Sequence, residues 1–217
     1  MIPYNRSFIS YLRSPFTLLN AAGIIIIASS RLAYALISVL AIIWVYSLSV
    51  LITNAAKNWF PKILNNLLSV FLFSLLAGIF YLFVYILNPF LAREVSLLIA
   101  LVPTLCFASG ICLRAENHAA HEALYLAFYE SLGIGVFIIA LSLIREPLGY
   151  GSLSVPGSLY AVYELFHLDM IFPIPLEIMA GSTGALLLLG YIFIILRMVT
   201  IHSEKIDRQK KTKAEEK

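Results

Sequence analysis

Long apolar runs separated by short charged joints dominate this sequence, and the pattern repeats about six times. A helix needs about 20 apolar residues to cross a hydrocarbon core about 30 Å thick. The runs that meet or approach this length, with a shorter one in front, are Phe16–Ser29, Leu32–Thr53, Ile63–Leu87, Val95–Leu113, Ala123–Ile144 and Thr183–Ile201. The pattern therefore predicts an all-α polytopic membrane protein with six transmembrane helices.

Composition agrees with this prediction. Hydrophobic residues make up 61% of the chain, charged residues 12%, and the mean hydropathy is +0.91. A water-soluble chain of 24.2 kDa could not hide that much apolar surface in one core. The first run leads through Ser29 and Arg31 directly into another span, which disfavours a cleaved signal peptide. Cys106 and Cys112 both lie in one apolar run, which excludes a secreted disulfide framework.

Positive charges are divided unequally between the two predicted sides of the membrane. Of the 15 lysines and arginines, twelve fall on the side that holds both termini and the second and fourth loops. The other three are Arg31, Arg93 and Arg145. Because cytoplasmic loops carry the excess of basic residues, we expect both termini in the cytoplasm, with residues 1–201 as one membrane domain and 202–217 as a charged tail. The charge is concentrated at the ends of the chain and is not spread over a face, so nucleic-acid binding is not predicted.

Two of the apolar runs are interrupted by small residues. The first ends at Ser30-Arg31, and the fourth contains Pro103 and Gly110. Interrupted helices at matching places in two halves are typical of inverted repeats, whose functional sites lie near the midplane. We therefore predict two inverted three-helix repeats, about 15–88 and 95–201, with broken first and fourth helices. Two kinked spans that coincide by chance are the alternative.

The longest joint is Arg145–Ser182. It starts with Pro147, Gly149 and Gly151, which are expected to end the fifth helix. Its middle, Leu159–Phe172, is rich in aromatic residues and too short to span a bilayer. Such a segment is expected to lie at the membrane interface, to dock on a partner, or to pack as a lid.

Several polar residues are candidates for chemistry. His118, His121 and Glu122 have helical spacing and could hold a metal, although a water-facing loop is the favoured interpretation. Glu130 lies a third of the way into the fifth run. Ionised groups at membrane depth are costly, so Glu130 could serve an ion path if it is buried, and otherwise it faces the headgroups or caps a neighbouring helix.

Two further observations narrow the function. Gly133 and Gly135 in the fifth run are predicted to let another helix approach closely. The sequence has no phosphate-binding loop, no serine or cysteine hydrolase pattern and no GxGxxG, so a self-contained enzyme is not predicted.

Two blocks of the chain resemble a known family. They are Arg114-Ala115-Glu116 and, one mostly apolar helix later, Ile144-Arg145-Glu146-Pro147-Leu148-Gly149-Tyr150-Gly151. Together they resemble the motifs of the integral membrane subunits of Rnf and Nqr complexes, of the D/E type, over roughly Pro15 to Thr200. The resemblance implies a bacterial inner-membrane subunit of an ion-pumping oxidoreductase. Such a complex moves electrons from ferredoxin or NADH toward NAD or quinone while Na⁺ or H⁺ crosses the membrane.

The resemblance also implies a cofactor and a partner. In the family, two paralogous subunits of opposite orientation each offer one cysteine from each broken helix, and the four thiolates hold a [2Fe–2S] cluster. Here the first ligand position reads Gly23. For the second, counting from Arg114 selects Ser109, whereas the family's Cys-x-x-x-Gly spacing selects Cys106, nearly one helical turn away. A standard four-cysteine cluster is therefore not expected unless the partner or an oxygen ligand compensates, and Cys106 as a small apolar helix residue is the alternative.

Two functional hypotheses follow. The first is a membrane subunit of an Rnf/Nqr-like electron-transport complex whose redox centre is altered or lost. The second is a small inverted-repeat transporter or accessory membrane protein without redox function.

Overall fold

The computed structural model describes residues 15–56, 62–110, 119–157, 162–167, 177–194 and 197–198. The elements, in chain order, are α1 (Pro15–Ala28), α2 (Leu32–Ala56), α3 (Lys62–Leu87), α4 (Pro89–Ser109), α5 (Ala120–Tyr150), β1 (Ser152–Pro156), β2 (Val162–His167), α6 (Glu177–Ala180) and α7 (Ser182–Ile194). Within these ranges, α2, α3, α4 and α5 are long and apolar enough to cross a membrane. A polytopic membrane protein is therefore the architecture that the helices support.

The first and last predicted spans are present as shorter helices. α1 has 14 residues, which gives it a length of about 21 Å, less than a hydrocarbon core. α7 is apolar, but its described part is also shorter than a membrane span. The structure thus places helices at all six predicted positions, while spanning length is reached by four of them.

α2 and α5 form the central pair of the bundle. Gly135 of α5 meets Val39 of α2, and Glu146 of α5 bonds the backbone of Leu32 at the start of α2. Residue numbers rise along one helix as they fall along the other, so the two helices are antiparallel. α4 packs against α1, α2 and α3. The apolar core lies between these helices.

α3 is the least buried of the long helices. Phe71 and Ile86 are 63% and 79% exposed. Apolar side chains on the outer surface of a bundle are expected where lipid replaces water as the solvent. This helix therefore lies at the rim.

α4 begins earlier than predicted, at Pro89 instead of Val95. Asn88 caps it, because its side chain accepts the N–H of Leu91 at 3.0 Å, and proline suits the first helical turn. The predicted interruption at Pro103 is wrong, since the helix continues through that residue. The interruption at Gly110 is present: this glycine has φ 63° and ends the helix with its N–H on the Phe107 carbonyl.

α5 extends beyond its predicted end. It runs through Pro147 to Tyr150, so the expectation that Pro147 and Gly149 end it is wrong. Gly151, with φ 65°, is the residue that ends it, and its N–H bonds the Pro147 carbonyl at 3.1 Å.

The two glycines in the middle of α5 behave differently. A Cβ added at Gly135 would lie 2.7 Å from Val39 Cγ1, so the predicted close approach of another helix holds there. A Cβ at Gly133 would meet nothing within 4 Å, so the prediction is wrong for that residue.

The long joint contains a β-hairpin that the all-α prediction missed. β1 and β2 pair antiparallel from Ser152↔His167 to Pro156↔Val162, with a register shift between Leu153 and Ser154. β1 packs against α2 and α5, whereas Tyr163 on β2 is 60% exposed. Tyr160 and Phe172 of the aromatic segment lie outside the described residues.

The joints that follow α1, α3 and α5 gather at one end of the bundle. Glu146 joins the end of α5 to the start of α2, and the Asn88 side chain between α3 and α4 donates to the carbonyl of Gly157 after β1. This end contains Arg31, Arg93 and Arg145, which the charge pattern had placed together on one side.

Candidate functional site

A buried arginine lies where this end of α5 meets two other helix ends. Arg145 is 2% exposed. Its Nε donates to the Met179 carbonyl at 2.8 Å, Nη1 to the Ile26 carbonyl at 2.7 Å and to Ser29 Oγ at 3.0 Å, and Nη2 to the carbonyls of Ala180 and Gly181 at 2.8 Å each. A guanidinium has five N–H groups, and these bonds use all of them.

The carbonyls that Arg145 binds belong to the C-terminal ends of two short helices. Ile26 lies in the last turn of α1, and Met179, Ala180 and Gly181 lie at the end of α6. The last carbonyls of a helix have no partner within it, and they form the negative end of its dipole. Arg145 therefore supplies charged donors to carbonyls at these helix ends, and its charge matches their field.

Local sequence explains why α6 lies so close to α5 and to the start of α7. A Cβ added at Gly149 would lie 2.7 Å from the Ala180 backbone nitrogen, and one at Gly184 would lie 2.5 Å from Met179 Cα. Only glycine fits at such distances. Because Gly149 lies four residues after Arg145, both face the break between α6 and α7.

The neighbouring Glu146 binds the N-terminal end of a helix. It is 1% exposed, and its Oε2 accepts the Leu32 N–H at 2.7 Å. Leu32 starts α2, and the N-terminus of a helix offers free N–H groups and the positive end of the dipole. The adjacent cation and anion thus bind helix ends of opposite polarity. We call Arg145, Glu146 and the helix ends that they bind the junction.

Aromatic and charged side chains surround the junction. The Arg31 guanidinium carbon lies 4.8 Å from the centre of the Tyr150 ring, within the range of a cation–π contact. Tyr34 on α2 lies close enough to Glu94, Arg31 and Glu146 to interact with them electrostatically.

The sequence-predicted ligand positions lie elsewhere, on α1 and α4. Gly23 is exposed on α1, and a Cβ there would meet nothing within 4 Å. Cys106 is fully buried in α4, and Ser109, half-buried one turn later, donates its hydroxyl to the Cys106 carbonyl at 2.8 Å. α1 and α4 pack against each other, so the helices that carry these positions are neighbours.

Comparison with known proteins identifies the family. The protein-family model described as "Rnf-Nqr subunit, membrane protein" matches residues 14–200. This chain belongs to the Rnf-Nqr membrane subunit family. The resemblance inferred from the two motif blocks is therefore confirmed.

A curated relative gives a second point of comparison within the family. It is one subunit of the proton-translocating ferredoxin:NAD(+) oxidoreductase complex of Clostridium ljungdahlii, and it is 31% identical over 130 residues. The match covers 58% of this chain and 55% of the relative. The chain thus spans about half the length of the curated relative that it matches.

Membership in the Rnf-Nqr family raises the question of whether this chain could help to hold the [2Fe–2S] cluster. Gly23 provides no ligand atom, and the Ser109 hydroxyl is engaged with a backbone carbonyl. Cys106 would supply one thiolate where two per subunit are required. The residues present at these positions do not fit a cluster shared equally between two subunits.

Glu130 is buried within α5 at 5% exposure. It lies 16 residues before Glu146, which separates the two carboxylates by about 24 Å along the helix axis. Glu130 is therefore buried, as a role in an ion path requires. The role itself stays a prediction.

The predicted metal ligands lie at the other end of α5. His121 is exposed and Glu122 half-buried in its first turn, while His118 lies outside the described residues. Among the residues that the structure describes, no group of three His, Cys, Asp or Glu side chains could hold a metal ion. The metal hypothesis therefore stays untested at His118.

Sequence reasoning missed the junction as a site. It counted Arg145 as a loop charge and gave Glu146 no role beyond the motif. The available signal was the motif block itself, in which two adjacent charges follow directly on an apolar run.

Proposed function

We propose that this chain is a membrane subunit of an ion-translocating electron-transport complex of the Rnf/Nqr type. Such a complex would pass electrons from ferredoxin or NADH to NAD or quinone and couple this to the movement of Na⁺ or H⁺. The observation that carries the proposal is the family match over residues 14–200. The relative's name and the four long apolar helices support it.

The proposed topology has six spans in two inverted repeats, in a bacterial inner membrane with both termini in the cytoplasm. The gathering of the joints after α1, α3 and α5 at one end supports it, because alternating spans require this arrangement. The distribution of the 15 basic residues, twelve on one side and three on the other, supports the orientation.

The proposed role within the complex is that of a scaffold and ion path, with an altered redox centre. Gly23 at the first ligand position supports this role, since glycine cannot bind iron. The proposed partners are other membrane subunits, above all a paralogue of opposite orientation that packs against the exposed face of α1.

Purification from native membranes tests membership in a complex. The tagged chain is extracted in mild detergent, and the proteins that elute with it are identified by mass spectrometry and analysed for flavin and iron. Elution with flavoprotein and iron–sulfur subunits is expected. A chain that elutes alone and is stabilised by a small-molecule substrate would contradict the proposal and favour the transporter hypothesis.

Iron analysis of the same assembly tests the ligand positions. Cys106→Ala is expected to leave the iron content and the EPR spectrum unchanged, and loss of an iron signal would place a ligand at Cys106. The double variant Gly23→Cys/Ser109→Cys places a thiol at the first family position and at Ser109, one of the two candidates for the second. It is expected to increase the iron content if the partner already offers two thiolates, because the Gly23 site has open space for a side chain.

A further inference from the structure

Three buried oxygen atoms beside the junction have no hydrogen-bond partner among the described residues. They are Glu146 Oε1, Ser142 Oγ and Ser154 Oγ. Ser142 and Ser154 are fully buried, and Glu146 is 1% exposed. Buried polar atoms are nearly always satisfied, so such a group points to a bound species that a protein chain alone does not show.

Helix geometry places Ser142 and Glu146 together. They lie four residues apart on α5 and therefore on the same face. That face is the one against α2, because Gly135 meets Val39 seven residues before Ser142, and Glu146 bonds Leu32. Ser142 thus lies in the α2–α5 interface, one turn from the carboxylate.

Ser154 approaches the same interface from the hairpin. It lies in β1, which packs against both α2 and α5. The strand begins two residues after the end of α5 and packs against it, so Ser154 lies at the same end of the bundle as Glu146. Two helices and one strand therefore each contribute to the surroundings of these oxygen atoms.

No hydrogen bond from Arg145 reaches the carboxylate of Glu146. Arg145 spends all five of its N–H groups on backbone carbonyls and Ser29, so none is left for the carboxylate. Arg31 lies against the Tyr150 ring. Oε2 of Glu146 accepts one N–H and lies in the field of the α2 N-terminus, whereas Oε1 has no donor. A buried carboxylate oxygen without a partner is costly.

We propose that Glu146 Oε1, with the hydroxyls of Ser142 and Ser154, binds a small monovalent cation, Na⁺ or a proton. Carboxylate and hydroxyl oxygens are the ligands that hard cations prefer, and broken helix ends provide such sites in membrane transporters. Its role in ion translocation rests on the proposed function. Cation binding can be measured on the isolated chain. The cation site can therefore be disproved even if the chain co-purifies with a complex, so the two proposals are tested separately.

The first test measures the thermal stability of the full chain in detergent during titration with NaCl, against KCl and choline chloride at equal ionic strength. A saturable rise in Tm that is specific to Na⁺ is expected, because a ligand that binds only the folded state stabilises it. Glu146→Gln keeps the acceptor for Leu32 N–H and is expected to abolish the rise. Ser142→Ala removes one neutral ligand and is expected to weaken the apparent Na⁺ affinity about tenfold.

The second test distinguishes a proton from Na⁺. If a proton occupies the site, the Na⁺ effect is absent and infrared spectra show the C=O band of a protonated carboxylic acid that Glu146→Gln removes. Ser142→Ala then shifts that band without removing it, which keeps the test valid if the glutamine variant does not fold. Glu94→Gln, an equal charge change at an exposed position of the same end, is the control and keeps the wild-type behaviour.

Two results overturn the proposal. One is a wild-type chain with neither a Na⁺-specific rise in Tm nor a protonated carboxyl band. The other is a folded Glu146→Gln variant that retains whichever signal the wild-type chain shows.

Discussion

The most informative perturbation removes the guanidinium that joins the helix ends. Arg145→Met keeps an apolar stem in place of the side chain as far as Nε and deletes five hydrogen bonds to groups at the ends of α1 and α6. Each bond to a charged donor contributes about 1.5–3 kcal/mol, but removal of Arg145 also relieves the cost of burying its charge. A net loss of about 3–5 kcal/mol in the free energy of unfolding is expected, because four carbonyls lose a charged donor and this loss outweighs the relieved cost of burial.

Arg145→Lys separates charge from geometry. Lysine keeps the positive charge but has three donors on a single nitrogen, which cannot reach carbonyls from two helices at once. The free energy of unfolding is therefore expected to fall by about 2 kcal/mol, which is less than the loss expected for Arg145→Met.

The assay is reversible unfolding in mixed micelles, followed by circular dichroism. Arg93→Met is the control, because Arg93 is exposed on α4 at the same end of the bundle, and it is expected to change the free energy of unfolding by less than about 0.5 kcal/mol. If Arg145→Met fell within about 1 kcal/mol of the control, the bonds at the junction would not stabilise the fold as argued.

The remaining predictions concern glycines of α5 and its cap. Gly149→Ala is expected to lower the free energy of unfolding by about 1–3 kcal/mol, because its Cβ would lie 2.7 Å from the Ala180 nitrogen. Gly133→Ala, with open space around it, is expected to be neutral or stabilising by up to about 1 kcal/mol, and equal losses in thermal unfolding for the two variants would contradict the packing described here. Gly151→Ala is expected to cost about 1 kcal/mol because the residue has φ 65°, and an unchanged Tm would show that the cap can relax.

Apolar periodicity was sufficient to predict the helices but not where they end. The run Ala123–Ile144 correctly indicated α5, yet the helix continues for six more residues through Pro147. Restriction of the residue before proline is a local tendency, and here Arg145 and Glu146 hold the same stretch through bonds to distant segments. The conformation of Gly151 decides where the helix stops, and sequence alone does not rank it above Gly149.

The junction could not be derived from residue types because its partners are distant along the chain. Arg145 binds Ile26, 119 residues earlier, and Met179, 34 residues later. An arginine after an apolar run looks like an ordinary loop charge until those segments are known to meet. The hairpin was missed for a related reason, since five- and six-residue strands beside a long aromatic joint give only weak alternation.

The assignment of Gly23 to the missing ligand position stays a prediction from sequence. Gly23 was identified by its distance from Arg31, and the structure adds that it is exposed on a helix that packs against α4. What sequence could not show is that the space around it would accept a side chain.

The most direct test of the account is a distance measured across the junction. Spin labels at Gly23→Cys on α1 and Gly190→Cys on α7 would occupy sites with no atoms within 4 Å of a new Cβ. Cys106 and Cys112 are replaced by alanine, and distances are measured by pulsed EPR in lipid nanodiscs. A single narrow distribution that broadens markedly in Arg145→Met is the result predicted here, whereas distributions that are identical with and without Arg145 would contradict the claim that this residue holds the helix ends together.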